Sequence, residues 1–549
     1  MARPDRDQLT ARYSFPLDRF QLEAFDIIDA GESVVVAAPT GSGKTVVAEY
    51  GIAMAMAEGR RAFYTTPVKA LSNQKYVDLV ATYGRDRVGL LTGDNSVNPD
   101  APIVVMTTEV LRNMIYARSG ALDHLQVVVL DEVHFIQDAY RGPVWEEVII
   151  HLPRRIQLVC LSATVSNTVE VAEWMTTVRG ATRAVVEDKR PVELECLYMA
   201  GDKSTEREHL LPLLVNGRPN QEVGRLMDQG ARPGRRGSYR PKARRSFFTP
   251  SRLDVVERLR EEDLLPAIYF IFSRNQCDEA ARSCARQNIR LTTPDERRRI
   301  RQIVEERLDS IDEDDLDVLG YSEFVEQLEA GIASHHAGMV PPFKETVEAC
   351  FVEGLVKIVF ATETLAVGIN MPARSVVIEK LTKFTGEHHE FLSAGEFTQL
   401  TGRAGRRGLD PKGHAVVLWS PFVSFDQVAG LAASRSFRLT SSFRPTYNMA
   451  VNLVRSYSSE EARHLLNLSL AQYQADRDVV KIEARLEARL QRLDELRDEA
   501  ESPFGDIHDY RSRLEGAPVG RSESAVEHAL SRLRPGNVIH VDKGRITGR

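Results

Sequence analysis

Cysteine is scarce in this chain of 549 residues. Its five cysteines are widely spaced and form no CxxC pair; they are Cys160, Cys196, Cys277, Cys284 and Cys350. Such spacing gives neither a zinc-finger pattern nor the disulfide framework of a small secreted domain. The sequence therefore favours reduced thiols and excludes a metal cage built from cysteine.

Long apolar runs and an excess of positive charge are also missing. No stretch approaches the roughly 20 residues that span a bilayer, and the first residues, MARPDRDQLTARYSF, have no apolar signal core. We therefore expect a cytoplasmic protein that has no membrane partner. The formal net charge of −7 argues against a protein that coats nucleic acid over its whole surface, but it leaves room for a local basic groove.

The charge that is present is uneven. Residues 225–245 hold eight Lys or Arg and one Asp, whereas residues 305–317 hold eight acidic residues and one Arg. Such runs are commonly solvated surface. For the basic run, contact with a polyanion stays open as a second interpretation.

Short β-branched runs alternate with helical patterns along most of the chain. Each run leads into a polar motif, and the runs are residues 33–38, 127–130, 157–162, 267–272 and 356–361. Continuous apolar strands between helices indicate parallel sheets buried on both faces, whose ligands bind at the carboxyl ends of the strands. The series occurs twice, on either side of a polar stretch rich in Gly and Pro. The predicted fold class is therefore α/β, with two tandem domains.

The first strand leads into APTGSGKT, which is the pattern G-x-x-x-x-G-K-[ST] with Ala38 in place of the first glycine. Backbone amides of this loop can hold the phosphates of ATP, Lys44 can reach the β- and γ-phosphates, and Thr45 can bind Mg²⁺. The predicted nucleotide-binding residues of the loop are Thr40, Gly41, Ser42, Gly43, Lys44 and Thr45. Upstream, the amide of Gln21 is a candidate for reading the adenine edge.

A second β-branched strand is followed directly by Asp131 and Glu132. The first carboxylate can hold Mg²⁺, and the second can orient and deprotonate the attacking water. His134 is then placed to sense the γ-phosphate. At the end of the next strand, Ser162 and Thr164 can form hydrogen bonds to the acidic motif and report hydrolysis to the second domain. Together with the phosphate loop, these residues predict an ATPase.

Eight motifs occur in the order APTGSGKT, TTPVKAL, TTEVLR, DEVH, SAT, SHHAGM, ATETLAVGINMPA and QLTGRAGRRG. This series resembles the superfamily 2 DExH-box helicases. Residues 335–377 and 444–457 are similar to one branch of them, the superkiller-type and exosome-associated RNA helicases. The resemblance covers residues 13–475. It implies two RecA-like P-loop domains, ATP hydrolysis stimulated by RNA, and 3′ to 5′ separation of partly duplex RNA, with an RNA-decay complex as a candidate partner.

The resemblance also implies that the second domain takes part in hydrolysis. In QLTGRAGRRG the matching positions are Gln399, Arg403 and Arg406, whose positive charge would stabilise the phosphoryl group in transfer. The spacing of the two arginines predicts that they share one face of a helix. Arg407 is expected at the surface or toward RNA. A purely structural salt-bridge role for Arg403 and Arg406 stays an alternative.

Further positions match family motifs that hold the backbone of a nucleic-acid strand without reading its sequence. In the first domain these positions are Pro67, Lys69, Thr108 and Glu109. In the second domain the positions match either strand-holding or coupling motifs, and they are Ser273, Arg274, His336, Gly338, Thr362 and Glu363. Gly368 and Asn370 match the loop that links nucleic-acid contact to ATP.

Residues 380–392, KLTKFTGEHHEFL, predict a β-hairpin about a Thr-Gly turn. In related helicases a hairpin at this place opens the duplex, and an ordinary hairpin is the alternative. The adjacent His388 and His389 would point to opposite faces of a strand, so we expect no metal site there.

The character of the chain changes after residue 425, where the sequence becomes helical and resembles the start of the family's winged-helix domain. The next segment carries a narrow apolar stripe that predicts an arm packed on one partner helix. The stripe consists of Ile482, Leu486, Leu490 and Leu493. Residues 533–549 begin like a small β-barrel but stop before a second full strand, so we expect an incomplete arm of a longer protein.

These patterns divide the chain into five expected segments. They are 1–195 for a RecA-like ATP-binding domain, 196–250 for a polar, partly basic linker or insertion, 251–425 for a RecA-like C-terminal helicase domain, 426–479 for the start of a winged-helix region, and 480–549 for the arm and incomplete β insertion.

Three other functions are weighed against that of an RNA helicase. A DNA helicase of this superfamily stays open, because motifs that hold the backbone hardly distinguish the two sugars. A nucleic-acid-binding scaffold with weak ATPase is disfavoured, since the catalytic candidates are all present. A nuclease motor would need an added metal-carboxylate domain, and the sequence shows none.

Overall fold

The computed structural model describes residues 6–11, 13, 15–205, 207–231, 247–309, 311–366, 371–384, 388–434, 436–500, 527–528 and 530–534. The chain separates into two compact units, Met1–Gln474 and Ala475–Arg549. Two α/β domains lie within the first unit. Among the described residues, every helix is too short or too polar to span a lipid bilayer.

The first domain is built on one eight-stranded sheet. Its strands are β1 Ser33–Ala37, β2 Arg61–Thr66, β3 Val88–Leu91, β4 Ser96–Val97, β5 Ile103–Thr107, β6 Leu125–Leu130, β7 Gln157–Ser162 and β8 Thr182–Val186. The strand order is β4-β3-β5-β2-β6-β7-β1-β8, and all pairs are parallel except β3 with β4. The β-branched residues of β1 and β5 are buried along the whole strand, as a sheet covered on both faces requires.

Helices cover this sheet. They are α1 Arg6–Thr10, α2 Arg19–Asp29, α3 Thr45–Ala57, α4 Lys69–Tyr83, α5 Thr108–Tyr116, α6 Gly142–His151 and α7 Thr168–Arg179. Short 3₁₀ helices lie at Arg85–Arg87, Gly120–Leu122 and Val133–Gln137. The apolar faces of α2 and α3 pack against β1 and β7 in one buried cluster.

The second domain contains another eight-stranded sheet and two short ribbons. Its strands are β9 Glu193–Asp202, β10 Arg207–Pro212, β11 Leu214–Val215, β12 Arg218–Pro219, β13 Phe247–Phe248, β14 Ala267–Phe270, β15 Ile332–His335, β16 Ile358–Ala361, β17 Ser375–Ile378, β18 Thr382–Phe384, β19 His389–Phe391 and β20 Lys412–Leu418. The sheet order is β10-β9-β20-β17-β14-β16-β15, with β13 paired to β9, and the ribbons are β11-β12 and β18-β19.

The helices of this domain are α8 Gln221–Ala231, α9 Arg252–Glu261, α10 Arg274–Arg286, α11 Pro294–Leu308, α12 Glu313–Val318, α13 Tyr321–Glu329, α14 Pro341–Val352, α15 Ala394–Thr401 and α16 Phe425–Ala433, with a 3₁₀ helix at Glu363–Leu365. They bury both faces of the sheet in two apolar clusters. Two tandem α/β domains with mostly parallel sheets confirm the predicted fold class.

Residues 193–202 form a strand, whereas we expected a linker to begin at residue 196. They form β9, which pairs in parallel with β20 as part of the second sheet. Successive side chains of β9 enter the two apolar clusters in turn, with Tyr198 in one and Met199 in the other. The second sheet therefore starts inside the stretch that the sequence suggested was a linker. Of the basic run, residues 232–245 lie outside the described residues, and residues up to 231 belong to α8.

The hairpin predicted at 380–392 is present as the antiparallel pair β18-β19, with Thr382 opposite Phe391 and Phe384 opposite His389. The phenyl ring of Phe384 is 60% exposed. No metal-binding group of His, Cys, Asp and Glu occurs among the residues that the structure describes.

Among the described residues, four named helices follow the second domain. They are α17 Tyr447–Ser456, α18 Ser459–Asn467, α19 Leu470–Ala475 and α20 Arg477–Ala500. The predicted apolar stripe lies on α20, where its side chains, Ile482, Leu486, Leu490 and Leu493, are 63%, 50%, 53% and 45% exposed. A partner helix for this stripe stays a prediction. The expected β insertion, residues 535–549, lies outside the described residues.

Candidate functional site

The phosphate loop follows β1 and precedes α3. Gly41 and Gly43 have φ angles of 80° and 86°, a left-handed conformation that glycine adopts without steric cost. The ammonium of Lys44 lies over its own loop and donates to the carbonyl of Ala38 at 2.6 Å and to that of Pro39 at 3.2 Å. Both glycines thus have the backbone conformation that a tight phosphate-binding loop uses.

Burial lowers the pKa of Lys44, and the positive charge of Arg403 lowers it further, while Glu132 and Asp131 raise it. The charges of both domains therefore act on one ammonium group. This places Lys44, the acidic motif and Arg403 within one electrostatic site.

Gln21 lies beside this loop with its side chain fully buried. Its Nε2 donates to the carbonyl of Gly43 at 3.0 Å, and its Oε1 accepts the backbone N–H of Asp18 at 2.8 Å. Both ends of the amide are held by the protein. Reading an adenine edge would therefore require the exchange of at least one of these hydrogen bonds.

Asp131 and Glu132 stand at the carboxyl end of β6, whose neighbours in the sheet are β2 and β7. Asp131 accepts the hydroxyl of Tyr64 at 2.7 Å and the N–H of Glu132 at 2.9 Å. Burial, followed by the charge of Glu132, raises the pKa of Asp131 to about 6. Glu132 has φ 54° and ψ 47°, a conformation that costs non-glycine residues about 1 kcal/mol or more and is common at functional sites.

The oxygen ligands at this position suit a hard divalent cation. Asp131 offers a buried carboxylate, and Thr45 offers a hydroxyl at the first turn of α3. Mg²⁺ prefers oxygen ligands and commonly uses one or two carboxylates together with substrate phosphates. The donor set therefore fits Mg²⁺.

His134 lies on the 3₁₀ helix after the acidic motif and is buried. Burial, with a further contribution from Lys44, lowers the pKa of His134 to about 3, so the imidazole is neutral. Its Nδ1 accepts the N–H of Ala163 at 3.3 Å, and the side-chain amide of Gln399 lies against its Nε2. The atom of Gln399 that lies against Nε2 is its amide nitrogen, and Nδ1 of His134 is also 3.4 Å from a carboxylate oxygen of Glu132.

Ser162 and Thr164 were predicted to form hydrogen bonds to the acidic motif. Both residues are buried, but the hydroxyl of Ser162 has no hydrogen-bond partner among the described residues. The contact with the acidic motif is made instead by the backbone of Ala163, through His134. The roles of Ser162 and Thr164 in reporting hydrolysis stay a prediction.

The two predicted arginine fingers are not on a helix. Helix α15 ends at Thr401, Gly402 lies between it and Arg403, and Gly405, with φ 91°, lies between the two arginines. The expectation that Arg403 and Arg406 share one helical face is therefore wrong. The turn sends the two side chains to different places.

Arg403 faces the site. It is buried, and its Nη2 donates to the carbonyl of Ala366 at 2.5 Å. Burial lowers the pKa of Arg403 to about 10, while the negative charge of Glu132 raises it. The charge of this second-domain guanidinium thus interacts with that of the predicted catalytic carboxylate of the first domain.

Arg406 is instead bound to Asp410. Its Nε and Nη2 donate to the carboxylate at 2.8 Å and 2.9 Å, and Arg374 donates to the same carboxylate at 3.0 Å. Burial would raise the pKa of Asp410, but the hydrogen bonds from Arg406 outweigh it and hold the pKa at about 2. For Arg406, the geometry matches the structural salt-bridge alternative.

Arg407 is exposed, as expected of a surface residue, and it also lies beside the phosphate loop. Its Nη1 is 3.1 Å from a carboxylate oxygen of Asp18. A Cβ atom on Gly43 would lie 4.0 Å from the same nitrogen. The arginine next to the predicted finger therefore borders the nucleotide site.

The nucleic-acid candidates of the first domain cluster after β2 and β5, which are neighbours in the sheet. The Nζ of Lys69 is 2.8 Å from Asp94, and both side chains are exposed. The carbonyl of Pro67 accepts from Arg141 at 2.8 Å. Thr108 is buried, with its hydroxyl donating to a backbone carbonyl at 3.2 Å, and Glu109 follows it in the first turn of α5.

In the second domain, Ser273 and Arg274 begin α10 at the carboxyl end of β14. His336, expected at a strand-holding or coupling position, is buried. Its Nε2 is 2.9 Å from Asp278, and its Nδ1 accepts the N–H of Gly338 at 3.1 Å. His336 therefore orders the loop that presents the exposed Gly338, rather than pointing to solvent itself.

Thr362 and Glu363 lie after β16. The hydroxyl of Thr362 pairs with that of Thr364 at 2.9 Å, and Glu363 is 3.2 Å from the ammonium of Lys383. Gly368 and Asn370 lie outside the described residues.

Sequence reasoning missed Lys383 and Asp410. Lys383 lies on the hairpin and also forms an ion pair with Glu396 in the first turn of α15, so it joins the hairpin to the helix of Gln399. Nothing in the sequence indicated this link. Asp410 follows Arg406 by four residues, and that spacing could have indicated an ion pair.

Comparison with known proteins matches both domains. Residues 18–172 match the DEAD/DEAH box helicase family, and residues 266–408 match the helicase conserved C-terminal domain.

Relatives align over most of the chain. A Mycobacterium tuberculosis protein named "Probable helicase HelY" is 50% identical, covering 99% of this chain and 62% of its own length. "DExH-box ATP-dependent RNA helicase DExH15 chloroplastic" of Arabidopsis thaliana is 40% identical over 87% of this chain and 44% of its own length. "ATP-dependent RNA helicase mtr4" of Schizosaccharomyces pombe is 35% identical, covering 97% of this chain and 48% of its own length.

The chain thus spans about 62% of the HelY relative and less of the other two. The matched regions contain the phosphate loop, the acidic motif and Arg403 described above. The chain belongs to the superfamily 2 DExH-box helicases, in their superkiller-type branch.

Proposed function

We propose that this chain is the core of an ATP-dependent RNA helicase that couples ATP hydrolysis to 3′ to 5′ translocation on single-stranded RNA and to strand separation. The observation that carries the proposal is the contact between domains at the acidic motif. Gln399 of the second domain lies against His134, and Arg403 lies near Glu132. Hydrolysis in such a site depends on how the two domains are placed.

In the proposed reaction, the amides after Thr40 and the ammonium of Lys44 bind the phosphates of ATP. Lys44 exchanges its loop carbonyls for phosphate oxygens. Thr45 and Asp131 would hold Mg²⁺, which supplies positive charge to the β- and γ-phosphates when bound. The residues of this chain thereby orient the γ-phosphate toward Glu132.

Glu132 accepts a proton from the attacking water, and Arg403 stabilises the charge that develops on the phosphoryl group. The neutral His134 links these groups to Gln399, because one of its ring nitrogens faces Glu132 and the other faces the Gln399 amide. Loss of the γ-phosphate removes the anion that attracts Arg403. The preferred placement of the second domain then changes, which is the step that moves the nucleic acid.

The strand would run across both domains, along the loops that hold Lys69, Thr108, Arg274 and Gly338. Contacts of this kind act on the sugar-phosphate backbone. RNA as the substrate is supported by the names of the Arabidopsis and fission-yeast relatives, whereas the mycobacterial name specifies no nucleic acid. We also propose the domain limits given above, with the second domain extended to include β9.

The test has two arms. The first measures steady-state ATPase of the full chain with single-stranded RNA and with DNA of matched sequence, and we expect the larger stimulation with RNA. The second compares duplexes that carry a 3′ or a 5′ overhang, and we expect strand separation on the 3′ overhang. Equal or larger stimulation by DNA would favour a DNA helicase, and an ATPase that no nucleic acid stimulates would contradict the proposal.

A further inference from the structure

Residues 436–442, here called the return segment, follow the second domain and lie across the first domain. Phe437 forms a parallel β-bridge with Val165, and its carbonyl accepts the N–H of Ser166 at 2.8 Å. The side-chain amide of Asn167 accepts the N–H of Leu439 at 2.8 Å and donates to its carbonyl at 2.9 Å. The return segment is therefore paired with the residues that follow the SAT motif.

The far end of the return segment contacts the 3₁₀ helix that carries His134. The N–H of Ser442 donates to the carbonyl of Ile136 at 3.2 Å. The hydroxyl of Ser442 lies 2.7 Å from the same carbonyl and 2.6 Å from that of Asp138. A Cβ on Gly142 would lie 2.2 Å from this hydroxyl, so the close approach requires glycine there.

Phe437 lies between two functional elements. Its ring is 9% exposed and meets the ring of His134 edge-on, with centroids 6.2 Å apart and an interplanar angle of 78°. The same ring lies 3.3 Å from the Cβ position of Gly395, in the first turn of α15. That helix carries Gln399, the partner of His134. One side chain thus supports both sides of the contact between the domains.

We infer that Phe437 is a positioning residue for the contact between His134 and Gln399. Through Phe437, the return segment helps to set how the two domains meet at the ATPase site. This inference rests on the proposed function, since it concerns the same site. A ring that packs on both partners limits how far α15 can shift from the acidic motif. Without it, the two side chains can separate, and misplacement of about 1 Å at a catalytic site costs on the order of 10²-fold in rate.

The anchoring of the return segment does not depend on Phe437. The buried Glu146 accepts the hydroxyl of Ser441 and, at 2.7 Å, the N–H of Leu470. The indole of Trp174 donates to the carbonyl of Leu468 at 2.8 Å. Removal of the ring should therefore leave the segment in place and change mainly the geometry beside His134.

The experiment uses the full chain with Phe437→Ala, Phe437→Leu and, as a matched control, Phe443→Ala. Phe443 is an aromatic residue just after the return segment. For each variant, kcat and KM for ATP are measured without RNA and with saturating single-stranded RNA, together with the affinity for a fluorescent ADP analogue and the melting temperature.

We expect Phe437→Ala to lower the RNA-stimulated kcat by roughly tenfold or more, with ATP KM and ADP affinity within about twofold of the parent. Phe437→Leu, which keeps most of the volume, should recover the larger part of this loss. Phe443→Ala should behave as the parent does.

The inference is overturned if Phe437→Ala keeps the stimulated kcat of the Phe443→Ala control, or if its kcat, ADP affinity and melting temperature fall together. Should Phe437→Ala fail to fold, Phe437→Val, which also shortens the side chain, takes its place, and a stimulated kcat equal to that of the control overturns the inference. A parent chain that hydrolyses ATP without any response to RNA contradicts the proposed function instead. In that case the kcat measured without RNA, compared between Phe437→Ala and Phe443→Ala, tests the role of Phe437.

Discussion

Arg407 of the second domain forms an ion pair with Asp18 of the first domain, with 3.1 Å between Nη1 and the carboxylate. Asp18 precedes α2, and its N–H is held by Gln21, whose amide donates to the phosphate loop at Gly43. The pair therefore joins the two domains beside the nucleotide site. Because the side chains are 45% and 40% exposed, it stabilises their contact by at most about 1 kcal/mol.

We expect Arg407→Asp to raise the KM for ATP by up to about fivefold, since about 1 kcal/mol of domain contact is lost. The double variant Asp18→Arg, Arg407→Asp should restore most of the KM, and the effect should shrink at high salt. Steady-state kinetics at two salt concentrations measure both. If Arg407→Asp instead slows turnover by about 100-fold and the charge swap does not rescue it, Arg407 acts on phosphate directly.

The ion pair between Arg406 and Asp410 should contribute to stability. Arg406→Ala and Asp410→Asn are each expected to lower the free energy of unfolding by about 1 to 3 kcal/mol, because each removes charge-assisted hydrogen bonds. The pKa of Asp410 is lowered in the folded state, so its contribution is present above about pH 4 and lost as pH falls toward 2. Urea unfolding measures the change, with the exposed Arg298→Ala as control. Full stability together with turnover slowed about 100-fold would return Arg406 to the finger role.

Glu146 should make stability depend on pH. Burial raises its folded-state pKa to about 7, against an ordinary value of about 4.5. The group therefore binds its proton more tightly in the folded chain, and its contribution to stability is lost as pH rises from about 4.5 through 7. Glu146→Gln resembles the protonated form and should flatten this part of the profile, as melting temperatures at pH 5.5 and 8 would show. An identical slope in parent and variant would exclude Glu146 as the cause.

Glu132→Gln should bind ATP but hydrolyse it at least about 100-fold more slowly, because general-base catalysis contributes on the order of 10² to 10⁴. The loop and Lys44 contacts to phosphate are unchanged by the substitution. Filter binding of ATP and single-turnover hydrolysis test this, with the surface variant Glu305→Gln for comparison. Turnover near that of the parent would remove Glu132 from the base role.

The phosphate loop, the acidic motif and the two sheets could be predicted from the sequence because short-range features determine them. Two glycines in the loop have a left-handed backbone, and the β-branched runs continue without polar interruption, as buried parallel strands do. The position of Asp131 after β6 follows from that local pattern.

The features that the sequence did not predict depend on distant pairing. Strand β9 lies more than 200 residues before its partner β20, and its apolar alternation begins directly after Pro191 and Val192 in a stretch that is otherwise polar. Phe437 meets His134 only because the chain returns to the first domain after completing the second. Arg407 and Asp18 are separated by 389 positions. No local period can indicate such contacts.

The most direct test of the account is the turnover rate of Arg403→Ala at saturating ATP and single-stranded RNA, measured beside the parent and Arg298→Ala, an exposed arginine of the same domain. Arg403 is the buried guanidinium that the second domain places near Glu132. The account predicts a kcat at least about 100-fold below that of both comparison chains, with nucleotide affinity changed only modestly, since the residue acts on transition-state charge. A kcat within about threefold of the Arg298→Ala chain would contradict the claim that the two domains together form the ATPase site.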